Sequence, residues 1–242
     1  MSTTAPSLTS HLLSLSTPIP YTAATKHEFL ATAAKGLLSS DRLSLYLFQD
    51  RLYAAHGYPR FIGHILSAIP FSSLHGLRSP QEGFNRRILE VLTYSLQNVV
   101  RETGFFVETA EKYGLKLDGW RERKATRDYT AETIRVAASG GLEGGLVFLW
   151  AMERVYLDAW KYVKSQLSNA AKPPSEALAG LVDNWTNTEF EKFVKDLEDI
   201  VNGLGIQPGT EAGNRAEEIW ARVIELEAAF WPPEGDIALL FL

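Results

Sequence analysis

Cysteine is missing from this chain of 242 residues. Its absence excludes disulfides, thiolate metal sites and cysteine nucleophiles together. Histidine is sparse. The five histidines show no ligand spacing, and none follows a glutamate by three positions, so the Glu-x-x-His pattern of carboxylate di-iron bundles is missing. Positive charge is not in excess: 24 Lys and Arg against 29 Asp and Glu leave a net charge of −5, and there is no basic footprint for nucleic acid. No run of 18 apolar residues exists, so no membrane span is expected. The first twenty residues, rich in Ser, Thr and Pro, contain no Lys or Arg. That argues against a secretory or mitochondrial leader and suggests a flexible arm over residues 1–20, or one that lies on a neighbour. Strand alternation is almost absent.

What is present is helical punctuation. Thr25 with Glu28 reads as a capping box ahead of "FLATAAKGLL". Ser39 or Ser40 caps the next helix. Ser79, Pro80 and Glu82 supply cap, first-turn proline and capping box for a long helix reaching toward Tyr113. "DYTAETIRVAASGG" is a shorter helix ending at Gly140 or Gly141, and "EGGLVFLWAMERVYLDAWKYVKSQL" is a long one. "AKPPSEALAG" reads as a linker. Thr186 with Glu189 opens a helix that stops at Gly203, and Pro232 and Pro233 end the last one. Seven or eight helices with no domain-sized break predict a single all-α bundle over residues 21–242. The apolar end of "PPEGDIALLFL" is expected to pack on something.

Three acids interrupt the apolar stripes of this bundle. In "LSLYLFQDRLYAAHGYPRFIGHIL" residues three and four apart share a face, so Tyr46, Asp50, Tyr53 and Gly57 align, while Leu45, Phe48, Leu52 and Ala55 fill the opposite side. In the helix from Leu146 to Tyr162, Glu153 lies in the stripe of Leu149, Trp150, Tyr156 and Trp160, whereas Arg154, Asp158 and Lys161 face solvent. In the last helix, Glu227 shares a face with Trp220, Val223, Phe230 and Trp231, and Glu225 does not. Each acid taken alone has a structural explanation: a cap, an arginine pair, or the edge of a stripe. Three acids flanked by Trp or Tyr suggest a pocket instead. Carboxylates accept hydrogen bonds from ring amino groups, and aromatic faces stack on the ring. Burial raises carboxylate pKa values into the range useful for acid/base work. The ligand so described is small, flat and cationic or amidine-like.

The ordered set of these motifs resembles the TenA/thiaminase II family, with its haem oxygenase-like all-helical fold. "Tyr-x-x-x-Asp-x-x-Tyr" from Tyr46 to Tyr53, with Gln49 before the acid, is similar to the family's "QD-x-x-Y" segment. Tyr129 in "DYT" looks like its pocket tyrosine. "Glu227-Ala-Ala-Phe-Trp" is similar to its C-terminal "E-x-x-FW". The resemblance covers about residues 20 to 232. Where one branch of the family carries a cysteine, this chain has Met152 followed by Glu153. It therefore resembles the branch called TenA_E, in which a glutamate replaces the cysteine. The tyrosine expected in the fourth motif is not evident in "NWTNTEF", where Trp185 or Asn187 could line the region without an assigned role.

The resemblance implies hydrolysis of aminomethyl- or formylaminomethyl-pyrimidines from degraded thiamin to hydroxymethylpyrimidine. By position it makes Glu153 and Glu227 catalytic. Glu227 would be the acid at a ring nitrogen, and Glu153 would activate water or shuttle protons. Asp50 would bind the exocyclic amine, and Tyr53, Tyr129 and Tyr46 would contact the substrate. It implies no metal or organic cofactor, a cytoplasmic protein, no nucleic-acid or membrane partner, and a homodimer or homotetramer. Two other readings compete. One is a non-catalytic pyrimidine-binding or scaffolding protein of the same fold, which would tolerate change at Glu153. The other is a haem or metal enzyme using His27, although a lone histidine at a helix start is more often a surface or capping residue. His56 and Tyr58 are candidates for the pocket rim.

Overall fold

The caps read from the sequence define most of the helices. In the computed structural model, which describes residues 6–16, 18–167 and 173–237, eleven α-helices and one π turn are present, and no strand occurs among the described residues. Ser39 caps α4 (Ser40–Leu52) by accepting from the Arg42 amide. Ser79 caps α6 (Pro80–Tyr113) by accepting from Glu82, and Gly114 closes it at φ 65°, a conformation glycine adopts without a Cβ penalty. Helix α7 (Lys124–Ser139) ends at Gly140 as expected but begins five residues before "YTA". Helix α8 (Gly141–Leu167) follows directly.

Several expected boundaries are corrected. The cap of α3 (Glu28–Ala34) is His27, whose Nδ1 accepts from the Phe29 amide at 3.1 Å; Thr25 instead ends α2 (Tyr21–Thr25). A ring nitrogen that accepts a backbone hydrogen bond is neutral, and burial lowers the His27 pKa. Asn187, not Thr186, caps α10 (Thr188–Gly203). Part of the expected linker is α9 (Glu176–Asn184), capped by Ser175. Within the stretch expected to be a flexible arm, Leu8–Leu13 form α1 with Leu8, Thr9 and Leu12 buried. Thr9 bonds Asn202, and His11 meets Glu217 at 2.7 Å. An apolar face two turns long docks because its side chains leave water and its polar edge finds partners. The end of the tail, residues 238–242, lies outside the described residues.

Helix α8 is the axis of the bundle. It packs against α3, α7, α10 and α11 (Glu211–Phe230), and from Gly144 to Met152 every residue is buried. A helix apolar all round belongs in the interior. No helix among the described residues is long and apolar enough to cross a membrane.

The stretch from Leu43 to Leu66 is not one regular helix. After α4 the chain makes a π turn, Tyr53–Gly57, before α5 (Tyr58–Ser67), and the Tyr58 amide bonds the Tyr53 carbonyl. In an α-helix, residues five apart diverge by about 140° at about 100° per residue. The i→i+5 bonding of the π turn brings them back to one face. Tyr53 and Tyr58 therefore point into the same cavity. The turn packs closely on α7: a Cβ at Gly57 would lie 3.1 Å from the Thr130 methyl.

Candidate active site

Helices α4, α5, α6, α7, α8, α10 and α11, the π turn and Trp185 just after α9 each contribute side chains to one internal cavity. The space between its walls is about 530 Å³, open solvent at its mouth included. Asp50, Glu153 and Glu227 all line it, as do Tyr53 and Tyr129. Among the described lining residues, none is Lys, Arg or His.

Asp50 is 7% exposed. Both hydroxyls that reach it bond the same oxygen: Tyr156 Oη donates to Oδ2 at 3.0 Å, and Tyr46 Oη lies 3.3 Å from it. The two tyrosines are joined at 2.5 Å. This leaves Oδ1 for a ligand. Tyr46 is not in the cavity wall. It is fully buried and stacked on Trp231 at 5.5 Å, so the wall position expected for it from the sequence is not found. A long apolar side chain on the acid's own helix face is buried by the core before it reaches the cavity.

Glu227 accepts a short hydrogen bond from Tyr129 Oη. Glu153 Oε1 accepts from Tyr58 Oη at 2.6 Å, and Ser95 Oγ lies 2.6 Å from the same hydroxyl. Tyr58 is thus a buried wall residue rather than a rim residue, whereas His56 is exposed. Burial pushes both Glu153 and Glu227 up to about 8. Burial also raises Asp50, and the nearby Glu102 raises it further. Met152, at the position of the absent thiol, also lines the cavity and accepts from Tyr53 Oη at 3.1 Å. Tyr53 and Tyr129 rings are 4.8 Å apart, and Phe230 closes against both.

Gln49 explains why "QD" is a unit. Its Oε1 accepts from the Arg123 amide at 2.9 Å and from Thr126 Oγ1 at 2.7 Å, and its Nε2 donates to the Arg121 carbonyl at 2.9 Å. The side chain next to Asp50 thereby clamps α4 to the start of the helix that carries Tyr129. The Arg123 guanidinium in turn holds the carbonyls of Ala229 and Phe230 and pairs with Asp236 at 2.6 Å, which fixes the end of the Glu227 helix.

Sequence reasoning missed a fourth acid. Glu102 lines the cavity from α6 and accepts from the Trp185 indole. It lies on the stripe of Ser95, Val99 and Phe106, all buried, so the periodicity that exposed Asp50 would have found it. Tyr156 was visible on the Glu153 stripe, but its bond to Asp50 was not. Trp185 lines the cavity and Asn187 does not. No group of three or more His, Asp or Glu among the described residues is placed to hold a metal ion.

Residues 19–235 match the model of the TENA/THI-4/PQQC family. The chain belongs to that family. As a family member it is similar to a "Probable bifunctional TENA-E protein" of Glycine max, 22% identical over 87% of this chain and 86% of the relative. It is 27% identical over 93% of its length to a Fusarium pseudograminearum protein named "Probable transcription factor", and spans 51% of that relative's length. The TenA homologue of Pyrococcus furiosus superposes with a TM-score of 0.76 at 22% identity, covering 96% of this chain and 99% of the other. The shared fold is the one the helical pattern predicts.

Proposed function

We propose that this TenA-family protein is an aminopyrimidine aminohydrolase of thiamin salvage. It hydrolyses aminomethyl- or formylaminomethyl-pyrimidines from degraded thiamin to hydroxymethylpyrimidine. The observation that carries the reading is the convergence of carboxyl groups with raised pKa values on an aromatic cavity free of cationic side chains. Similarity to the TENA-E protein of Glycine max supports it.

In this reading Asp50 Oδ1 accepts from the exocyclic amine of the ring, and its Oδ2 is held by Tyr156. Tyr53 and Tyr129 pack on the ring faces. Glu227, at about 8, keeps its proton at neutral pH and delivers it to a ring nitrogen. Glu153, raised to the same value, takes a proton from the attacking water in the fraction of molecules in which it is ionised, a fraction that grows as pH rises toward 8. An acid or base whose pKa lies near the working pH is efficient in either direction. As the C–N bond to the methylene breaks, water supplies the new hydroxyl, its proton passes through Glu153 to the leaving nitrogen, and the ring nitrogen returns its proton to Glu227; ammonia leaves from the aminomethyl compound and formamide from the N-formyl compound. Thiamin cleavage would call for a strong nucleophile, and a carboxylate or the Met152 thioether is a poor substitute for a thiolate.

Chromatography of products from three substrates tests this: the aminomethyl-pyrimidine, its N-formyl derivative and thiamin. Thiamin should be the slowest. Glu153→Gln should lose about 10²–10⁴-fold in turnover of the best substrate, the usual contribution of a general acid/base. If wild type binds the pyrimidines but turns over none of them, the protein is a binding module. If thiamin is fastest, the glutamate-for-cysteine reading fails.

A further inference from the structure

The cavity has a second compartment. A surface groove shares Asn98, Glu102, Trp185 and Phe190 with the inner cavity and adds Arg101 and Asn187 on its outer side. These four shared side chains are therefore the partition between inside and outside. Glu102 is the one ionisable group among them. Its carboxylate is fixed by the Trp185 indole N–H on one oxygen, Oε1, which leaves the other for a ligand. The Trp185 ring is itself buried, 2% exposed and packed 4.7 Å from Trp160 and 5.2 Å from Tyr156.

Nothing in the proposed reaction uses this group. The ring amine belongs to Asp50, the ring nitrogen to Glu227 and the water to Glu153. Yet Glu102 is near two of these acids. Among neighbouring charges its carboxylate raises Asp50 and Glu153 the most. Glu102 shares the cavity lining with Asp50 and Glu153 and, by elimination, is the acid left to meet the substituent that a pyrimidine carries next to its exocyclic amine. In the proposed substrates that substituent is either an ammonium, in the aminomethyl compound, or a neutral amide, in the N-formyl compound.

We infer that Glu102 is a specificity-determining carboxylate at the cavity mouth, which selects the ammonium-bearing aminomethyl-pyrimidine over its neutral N-formyl relative. This rests on the pyrimidine reading and deepens it. Two physical effects act together. Burial raises Glu102, opposed by the Trp185 hydrogen bond and the Arg101 charge; ionising a desolvated carboxylate costs free energy, and an ammonium partner offsets that cost while donating a charge-assisted hydrogen bond. A neutral amide supplies a donor but leaves the charge uncompensated. The hydroxymethyl product is neutral as well, so Glu102 holds it less tightly than the substrate.

The test uses the full chain and compares kcat/KM for the aminomethyl- and N-formylaminomethyl-pyrimidines in wild type and Glu102→Gln. Glutamine is isosteric and still accepts from the Trp185 indole, and a melting curve verifies folding. The selectivity ratio, aminomethyl over formylaminomethyl, should fall about tenfold to a hundredfold, the effect expected of a hydrogen bond to a charged group. The change should lie mainly in KM. Glu102→Asp, which keeps the charge, should retain more of the ratio than Glu102→Gln. Equal losses on both substrates, or an unchanged ratio, overturn the inference and leave the pyrimidine reading standing. Wild-type protein that binds neither pyrimidine overturns both.

Discussion

Replacing Glu227 by glutamine should make the protein less sensitive to rising pH, and the size of the effect follows from burial. Glu227 is 3% exposed. Its carboxyl is raised from 4.5 to about 8 by desolvation, opposed in part by the Tyr129 hydrogen bond. Below about pH 4.5 both folded and unfolded chains hold the proton, so the stability linked to this group is fully present. Between 4.5 and about 8 the unfolded chain releases the proton and the folded chain keeps it. Stability is then lost as pH rises. One pH unit is worth at most about 1.4 kcal/mol per group. Above about 8 both forms are ionised and the loss is complete. Glutamine keeps the shape and the acceptor for Tyr129 Oη but cannot ionise. Urea unfolding of wild type and Glu227→Gln at pH 5, 6, 7 and 8 should give curves that diverge. The variant should gain on wild type by about 2 to 4 kcal/mol across that range, the upper figure being the ceiling for three pH units at about 1.4 kcal/mol each. The Glu227 charge also raises Glu153, so the comparison is repeated in a Glu153→Gln background, where the difference between the curves reports Glu227. Parallel curves would refute the claim that Glu227 is held protonated by burial.

Two further outcomes are expected. Asp50→Asn should weaken aminopyrimidine binding by about 1.5–3 kcal/mol, the range for hydrogen bonds to charged groups, with the fold intact; calorimetry showing unchanged affinity would return Asp50 to a purely structural role. Tyr58→Phe removes the donor that holds the Glu153 pKa down, so the pH–rate profile should move to higher pH, and superimposable profiles would show that the Tyr58 contact is idle.

Much of the bundle and three of its four cavity acids were legible in the sequence. Helical periodicity at 3.6 residues sorts inward from outward positions, and Asp50, Glu153 and Glu227 stand out because an acid in an apolar stripe violates that pattern. Ser39, Ser79 and Gly114 act through contacts only a few residues long, so local sequence suffices for them. Thr25 and Thr186 were read as the caps that His27 and Asn187 supply, because several polar residues near a helix start compete to cap it and backbone geometry selects one; the capping reading of His27 itself holds.

What only the tertiary structure decided is which surfaces meet. Periodicity places Tyr46 and Tyr53 on one face of the chain, but packing sends Tyr46 into the core and Tyr53 into the cavity. The π turn recruits Tyr58, five residues on, which an α-helical wheel assigns elsewhere. Tyr156 reaches Asp50 across 106 residues of chain, and Trp185 reaches Glu102 across 83. Such contacts depend on how helices cross, and crossing is set by the summed fit of many apolar side chains rather than by any local signal.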